Sequence, residues 1–299
     1  MRNLQHMEVT LDGYRGPENA GILMADKRGY FAEAGLSVKI YPPETPLRPV
    51  RYVAEKVIDL AVSHQPQVVL AEEKGVPIVA VGSLMPEPTM GMMWSAGSGI
   101  HDIADLKGKT IAIPGLSFEE KFLRAVLARA GLTLADVKVK TVYYDLVPAL
   151  VKGRADAIFG GSSNVEGVEL EERGLDPVIA SVQSLGIPSY DELVLIARSD
   201  RLAEDPESIR RFLSAVRRGT AAAIEDPPAV SRAIANGYEP VTREMEAQVE
   251  ATLPLLSRDG YLDPDQAKGL VDWMQEEGMV QQAPSAAQLF TNDYLKPES

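Results

Sequence analysis

The sequence predicts an α/β fold of two similar three-layer lobes, each a sheet with helices on both faces. One reason is that predicted strands and helices alternate along the first two thirds of the chain. Another is that the first half is repeated in the second: Ala34-Gly35-Leu36 returns as Ala130-Gly131-Leu132, and Gly75 returns as Gly174. A repeat of about 100 residues is the size of a small domain. Two similar lobes would place a cleft between them, where small molecules bind.

The elements of the first half follow from strand patterns and helix signals. A polar turn at 12–17 leads into a helix at 18–34, which Gly35 closes as a left-handed cap. The proline-rich stretch 42–49 is a turn. The predicted strands are 9–11, 37–41, 58–63 and 78–81, and two further helices are 50–56 and 67–74.

The second half has the same kind of pattern. Ser117 and Glu120 have the spacing of a capping box, which predicts the start of a long amphipathic helix ending at Ala130. A glycine-containing loop at 160–164 leads into another helix. The predicted strands are 110–113, 137–143 and 155–159.

Two β-like runs, 90–95 and 193–197, are predicted to join the lobes as a two-strand hinge that closes the cleft. Lobe one then comprises 1–93 and 194–299, and lobe two comprises 94–193. From residue 200 onward the chain is almost wholly helical and is divided by prolines. We interpret this part as a helical C-terminal layer on lobe one.

Composition excludes several classes of function. The 299 residues are 45% hydrophobic, enough for two packed cores, and carry a net charge of −13. That charge argues against nucleic acid and anionic membrane surfaces as partners, since both need basic patches. The sequence has no cysteine, which excludes a disulfide framework, thiolate catalysis and cysteine metal sites.

Candidate binding residues follow from the rule that ligands sit beyond the carboxyl ends of parallel strands. The rule selects polar segments at 12–19, 44–45, 63–65, 115–117 and 160–166, whose amide, hydroxyl, imidazole and carboxylate groups fit a neutral or weakly basic ligand. The candidates are Asp12, Tyr14, Asn19, Glu44, His64, Gln65, Gly115, Ser117, Gly161, Ser162, Ser163, Asn164 and Glu166.

Several of these candidates have a purely structural alternative. Asp12 and Asn164 could cap the following turn or helix, and a lone histidine such as His64 is commonly a satisfied surface or core group. Ser117 is first a helix cap, and Glu166 in a first helical turn is favourable in any case.

Catalytic patterns are missing from the sequence. The histidines at 6, 64 and 101 lack metal-ligand spacing, and there is no G-x-S-x-G elbow, phosphate loop or G-x-G-x-x-G. We therefore expect a binding protein without catalytic residues, metal or cofactor, rather than an enzyme.

The chain resembles the binding proteins of ABC importers that deliver thiamine pyrimidine precursors, within a superfamily that includes eukaryotic thiamine-pyrimidine synthases. The resemblance covers nearly the whole chain. It rests on 27–36 (KRGYFAEAGL), 65–66 (QP) with 73–77 (EKGVP), 105–109 (DLKGK), 160–161 (GG) with 164–166 (NVE), 186–194 (GIPSYDELV) and 291–295 (TNDYL).

The resemblance implies a periplasmic-binding-protein type II fold, a heterocyclic ligand and an ABC permease as partner. It also implies a monomer in an extracytoplasmic location. Asp12 and Glu166 match the acidic residues that hold the aminopyrimidine ring in this family. Residues 1–10 lack the apolar stretch of a secretory signal, so we expect the signal segment to lie outside this chain.

The chain departs from the family at its aromatic positions. Gly13 stands where an aromatic residue usually follows the first aspartate, and Ser162 and Ser163 replace Tyr-Trp. Tyr14 or Tyr190 could supply a replacement face for stacking. The alternatives are a larger flavin-like ligand, a small sulfonate or aromatic carboxylate, or a synthase-like enzyme; the synthases carry a cysteine-rich motif that is absent here.

Overall fold

A computed structural model describes residues 4–295, and within them ten strands form two five-stranded sheets. The strands are β1 (Gln5–Thr10), β2 (Leu36–Tyr41), β3 (Leu60–Ser63), β4 (Ile78–Met85), β5 (Met90–Ser95), β6 (Thr110–Ile113), β7 (Lys138–Thr141), β8 (Ala157–Ser162), β9 (Pro177–Ser181) and β10 (Leu193–Arg198). The first sheet has the order β2-β1-β3-β10-β4 and the second has the order β7-β6-β8-β5-β9.

Helices surround both sheets. They are α1 (Ala20–Lys27), α2 (Tyr30–Glu33), α3 (Arg48–Ala54), α4 (Gln65–Glu73), α5 (Glu119–Arg129), α6 (Leu146–Val151), α7 (Val168–Glu172), α8 (Ser199–Glu204), α9 (Pro206–Glu225), α10 (Pro227–Ala235), α11 (Arg243–Thr252), α12 (Pro264–Glu276) and α13 (Ala286–Leu289). A π-helical turn at Ser163–Gly167 precedes α7.

The two sheets share one plan, which is the structural counterpart of the sequence repeat. In the first, β1 pairs in parallel with β2 and β3, while β10 is antiparallel to β3 and β4. In the second, β6 pairs in parallel with β7 and β8, while β5 is antiparallel to β8 and β9. The repeated Gly35 and Gly131 both close a helix with positive φ, 77° and 72°.

The strands predicted to link the lobes are members of the sheets. β5 lies between β8 and β9, and β10 lies between β3 and β4. The chain therefore passes from the first sheet to the second at 86–89 and returns at 182–192.

The apolar cores show how the C-terminal helices are used. On the first sheet, Phe31 of α2 stacks on Phe212 of α9 with ring centroids 5.0 Å apart. Burial of each such ring contributes about 1.5–3 kcal/mol. A second core also includes Trp273 of α12, whose ring meets Phe122 of α5 edge-on at 5.0 Å. The interpretation that the helical layer lies on lobe one alone is therefore wrong, because α12 also packs against a helix of the second half.

Two local predictions are also corrected. The helix predicted at 18–34 is broken, because Gly29 adopts a left-handed conformation with φ 74° between α1 and α2. The capping box of Ser117 and Glu120 does not form, since both are exposed and α5 begins at Glu119. Glu119 instead accepts the N–H groups that precede the helix.

Candidate functional site

A cavity lies between the two sheets, where the carboxyl ends of the parallel strands face each other. Its volume is about 100 Å³. One water needs about 10–15 Å³ of such space, so the cavity has room for several waters or one small ring compound. The lining residues are Asp12, Gly13, Tyr14, Glu18, Pro46, His64, Met85, Thr89, Met90, Pro114, Leu116, Phe118, Glu119, Tyr143, Tyr144, Leu146, Gly160, Ser162, Asn164, Val165, Glu166, Glu192 and Leu193.

Carboxyl groups dominate the polar part of this lining. Asp12, Glu18, Glu119, Glu166 and Glu192 all contribute to the wall, and no lysine or arginine does so among the described residues. The cavity is therefore rich in hydrogen-bond acceptors and suits a ligand that carries N–H groups or positive charge.

On the first-sheet side, one buried amide holds two of these carboxyl groups. Asn19 is 1% exposed, and its Nδ2 donates to Asp12 Oδ1 at 2.9 Å and to Glu18 Oε1 at 3.4 Å. Burial raises the pKa of Glu18 well above its usual range, and the neighbouring charge of Asp12 raises it further. A Cβ at position 16 would lie 2.1 Å from Glu18 Oε1, so Gly16 allows the loop to pass over this carboxyl group.

On the second-sheet side, backbone groups hold the carboxylates. Glu119 Oε2 accepts from the N–H of Gly115 at 2.7 Å and of Leu116 at 2.8 Å. Glu166 Oε2 accepts from the N–H of Ser162 at 2.7 Å. Burial raises the pKa of Glu166 to about 7, although these backbone hydrogen bonds favour its ionised form.

The returning connection between the sheets adds a contact between the buried Glu192 and the half-buried His64. Glu192 accepts from the N–H of Thr89 at 2.7 Å and of Met90 at 3.0 Å, and its other oxygen lies 3.1 Å from His64 Nδ1. Burial lowers the pKa of His64, but the hydrogen bond to Glu192 and its charge outweigh that effect, so the pKa is raised. His64 therefore serves first as a partner of Glu192 at the junction of the two sheets.

Tyrosines close the mouth of the cavity. Tyr14, 46% exposed, meets Tyr144 of the second half edge-on with ring centroids 6.2 Å apart. An added Cβ at Gly13 would lie 3.4 Å from the Tyr144 ring, so this ring lies beside the position where the family places an aromatic residue. Tyr190, the other predicted replacement, is fully buried outside the lining, with its hydroxyl 3.6 Å from Met90 Sδ.

The structure brings six of the predicted residues to the cavity wall: Asp12, Tyr14, His64, Ser162, Asn164 and Glu166. Eight others lie outside the lining: Asn19, Glu44, Gln65, Gly115, Ser117, Gly161, Ser163 and Tyr190. Some of these eight support the wall from behind, as Asn19 and Gly115 do for Asp12 and Glu119.

The remaining residues outside the lining have other surroundings. Glu44 is exposed and lies 3.8 Å from Arg48. Ser117 is exposed, and the Ser163 N–H donates to the Thr89 carbonyl. Gln65 is hydrogen-bonded to Asp191 through both its side chain and its backbone.

Sequence reasoning missed three acidic residues and two tyrosines in the lining. Glu18 and Glu119 lie in or beside segments that the strand-end rule selected, but they resemble ordinary acids at a helix start. Glu192 lies in the connection that returns from the second sheet, which the rule does not select. Tyr143 and Tyr144 directly follow β7, and the same rule applied to that strand would have found them.

Among residues 4–295, no group of three or more His, Asp or Glu side chains is arranged to hold a metal ion. No helix in that range has the length and apolar character needed to cross a membrane.

Comparison with known proteins agrees with this fold. The NMT1/THI5-like family profile matches residues 16–230. A formylaminopyrimidine-binding protein of Halalkalibacterium halodurans is 31% identical over 301 residues, covering 97% of this chain and 90% of that protein. A 4-amino-5-hydroxymethyl-2-methylpyrimidine phosphate synthase of Aspergillus parasiticus is 29% identical over 224 residues, covering 71% of this chain and 65% of that enzyme.

Among solved structures, the periplasmic aliphatic sulphonate-binding protein SsuA of Escherichia coli matches with a TM-score of 0.72. It is 16% identical, and the match covers 99% of this chain and 95% of that one. At this identity the match concerns the fold alone. The chain has the periplasmic-binding-protein type II fold and belongs to the NMT1/THI5-like family.

Proposed function

We propose that this protein is the solute-binding component of an ABC importer and captures an amino-substituted pyrimidine of the thiamine-precursor type between its two sheets. One observation carries this proposal. Five carboxyl groups line the cavity, and no lysine or arginine does so within the described residues. An aminopyrimidine offers N–H donors to such a wall, and each charge-assisted hydrogen bond contributes about 1.5–3 kcal/mol.

Asp12 and Glu166 are the proposed main contacts, since they belong to opposite halves of the chain and both line the cavity. A ligand that binds both would hold the two halves together, as expected of a binding protein that closes around its ligand. The formylaminopyrimidine-binding relative, similar over nearly its whole length, supports this ligand class.

Sulfonates are the main alternative ligand class because the E. coli structure with this fold binds them. An anion at about 5 Å from an ionised carboxylate is repelled by roughly 3 kcal/mol at an effective dielectric constant of 20. Without a lysine or arginine in the described lining to offset this repulsion, a sulfonate or aromatic carboxylate fits the cavity poorly. A flavin, with three fused rings and a long side chain, is the larger alternative ligand, and the ligand panel below tests it.

The synthase-like alternative is a different class of function. The Aspergillus relative is named as a 4-amino-5-hydroxymethyl-2-methylpyrimidine phosphate synthase. The eukaryotic synthases that this chain resembles carry a cysteine-rich motif, whereas this chain has no cysteine. No observation in the cavity favours catalysis over binding.

The transport role is proposed from the family and the fold. In this proposal the protein works outside the cytoplasm as a monomer and delivers its ligand to the transmembrane subunits of a permease. Lobe one would comprise 1–93 and 194–299 and lobe two 94–193, except that 90–93 go with the second sheet as part of β5 and Leu193 goes with the first as part of β10. The ligand is released when the lobes separate.

Isothermal calorimetry and thermal unfolding with a ligand panel test the proposal. The panel contains formylaminopyrimidine, 4-amino-5-hydroxymethyl-2-methylpyrimidine, riboflavin and an aliphatic sulfonate. A ligand at one hundred times its Kd stabilises the fold by about 2.7 kcal/mol, and we expect this for a pyrimidine. Stabilisation by the sulfonate and by no pyrimidine would overturn the proposal. Mass spectrometry of the released ligand distinguishes binding, which leaves it unchanged, from synthesis.

A further inference from the structure

The loop between β6 and α5 folds around a carboxyl group of its own chain. Glu119, the first residue of α5, turns back so that Oε2 accepts the N–H groups of Gly115 at 2.7 Å and Leu116 at 2.8 Å. Gly115 has φ +92°, which favours glycine and turns these two successive N–H groups toward the same point.

Two successive backbone N–H groups that point to one position form a concave site that favours anions. Here the two N–H groups lie in the loop just before a helix, so the positive end of the helix dipole is close by. The helix here, α5, is 11 residues long. In this protein the anion position is filled by a residue of the chain itself.

A second observation connects this position with the ligand cavity. Glu119 lines the cavity and is only 1% exposed, and its Oε1 has no hydrogen-bond partner among the described residues. A buried oxygen without a partner calls for an explanation, and a ligand in the cavity would supply the missing hydrogen bond.

Three other backbone donors of lining residues are occupied in the same way. The Ser162 N–H is held by Glu166, and the N–H groups of Thr89 and Met90 are held by Glu192. The cavity thus presents acceptor oxygens at places where an anion-binding protein would present free N–H groups.

We propose that Glu119 is a specificity-determining residue that fills the anion position before α5 and so excludes phosphate esters, sulfate and sulfonates from the cavity. The cavity then accepts an unphosphorylated heterocycle and rejects its phosphate ester. This inference rests on the proposed function in one respect, namely that the cavity is the ligand site.

Glu119 excludes anions in two ways: its side chain fills the anion position, and its carboxylate charge repels them. Burial raises the pKa of Glu119 well above its usual range, and the two N–H groups oppose that shift. A protonated carboxyl group still accepts N–H groups through its carbonyl oxygen. A Cβ at Gly160 in β8 would lie 2.9 Å from Glu119 Oε1, so the glycine there leaves room for this carboxyl group to fill the position before α5.

The test is sulfate binding to Glu119→Ala, measured by calorimetry and by thermal unfolding against chloride at equal ionic strength. Removing the side chain frees the two N–H groups and opens space before α5. We expect sulfate to bind this variant at least about tenfold more tightly than the original protein. Glu120→Ala is the matched control, since it removes an exposed carboxylate from the same helical turn, and we expect no gain.

Two further variants at position 119 allow the test to be completed even if Glu119→Ala does not fold. If circular dichroism shows Glu119→Ala unfolded, Glu119→Ser is measured instead, because a serine at a helix start can satisfy a backbone N–H. Glu119→Gln should still exclude sulfate, since its amide oxygen can accept the same two N–H groups. Equal sulfate binding by Glu119→Ala, Glu120→Ala and the original protein would overturn the inference.

Binding measurements with pyrimidines distinguish a failure of this inference from a failure of the proposed function. The original protein should bind 4-amino-5-hydroxymethyl-2-methylpyrimidine at least about tenfold more tightly than its phosphate, and Glu119→Ala should reduce that preference. If no pyrimidine binds but Glu119→Ala gains sulfate, the proposed function fails and the role of Glu119 in excluding anions stands. If pyrimidines bind and the preference is unchanged in Glu119→Ala, the role of Glu119 fails alone.

Discussion

The two sides of the cavity hold their carboxyl groups by different means. On the first-sheet side, Asp12 and Glu18 share the side-chain amide of Asn19. On the second-sheet side, Glu119 accepts backbone N–H groups from the loop before α5, and Glu166 accepts one from the end of β8. Backbone donors are fixed by the fold, whereas the first-sheet pair depends on one replaceable residue. The second half therefore offers the preorganised wall, and the first half offers the side that substitution adjusts most easily.

The largest expected effect on ligand affinity comes from replacing Glu166 on the second-sheet side of the cavity. In Glu166→Gln the amide oxygen can still accept the Ser162 N–H, so the fold is kept while the charge is lost. Loss of one charge-assisted hydrogen bond should weaken pyrimidine binding about 10- to 100-fold. Calorimetry measures this.

Glu169→Gln is the control for Glu166→Gln. Glu169 pairs with Arg173 at 2.6 Å and lies outside the cavity lining, so its replacement should leave affinity unchanged. Equal losses in both variants would show that the effect is general electrostatics rather than ligand contact.

The pH dependence of stability tests whether burial destabilises the ionised form of these carboxyl groups. Burial raises the pKa of Glu166 and of Asp191 to about 7. The folded protein therefore binds more protons than the unfolded chain between about pH 4 and 7, and its free energy of unfolding falls as pH rises through that range. We expect a fall of about 4 kcal/mol from pH 5 to 7, about 2 kcal/mol for each of the two groups. Urea unfolding at each pH measures it.

The variants Glu166→Gln and Asp191→Asn provide the internal check on that slope. Each removes one titrating group, so the decline between pH 5 and 7 should become shallower in each and shallowest in the double variant. A decline of the same size in all four proteins would contradict the assignment.

Replacing Asn19 removes the amide that holds the carboxyl groups on the first-sheet side of the cavity. In Asn19→Ala the carboxyl groups of Asp12 and Glu18 lose their shared donor, and their mutual repulsion is no longer offset. We expect a loss of about 1–2 kcal/mol of stability and a five- to tenfold weaker pyrimidine affinity. Adding Glu18→Gln removes one of the two charges and should restore part of both; no recovery would show that Asn19 acts through packing alone.

The smallest expected effect concerns a contact between the C-terminal layer and the second-sheet wall. Asn164 lines the cavity, and its Nδ2 donates to Thr252 Oγ1 of α11 at 2.8 Å. Thr252→Val keeps the shape but removes the acceptor, which should cost about 1 kcal/mol and loosen Asn164. Thermal unfolding and ligand dissociation rates measure the two effects.

Thr220→Val is the matched control for Thr252→Val. Thr220 is also buried, and its hydroxyl donates to the Val216 carbonyl within α9, away from the cavity. We expect it to change stability by a similar amount and leave ligand dissociation unaffected. Faster dissociation in both would argue against a specific role for Thr252.

Much of the fold could be predicted because its signals are local. The repeated Ala-Gly-Leu segments mark helix ends at Gly35 and Gly131, and both glycines adopt the left-handed conformation that such an end needs. The prediction at 117–120 failed because two neighbouring glutamates compete at a helix start. The buried Glu119 reaches back to the loop, while Glu120 points to solvent.

The candidate site was predictable only where it lies directly at strand ends. Asp12, His64 and Glu166 follow strands and line the cavity. Glu192 does not, since it belongs to the connection that returns from the second sheet and meets His64 across 128 positions of sequence. No local pattern reports a pairing of that kind.

The sequence by itself determined the duplicated α/β architecture, the acidic character and the absence of thiol chemistry, because repeats, periodicity and composition are properties of the chain. Only the tertiary structure decided which acids face the cavity, which N–H groups they occupy, and that α11 and α12 contact the second half. These features depend on the mutual placement of distant segments, and the burial that raises the pKa of Glu166 exists only once the two sheets face each other.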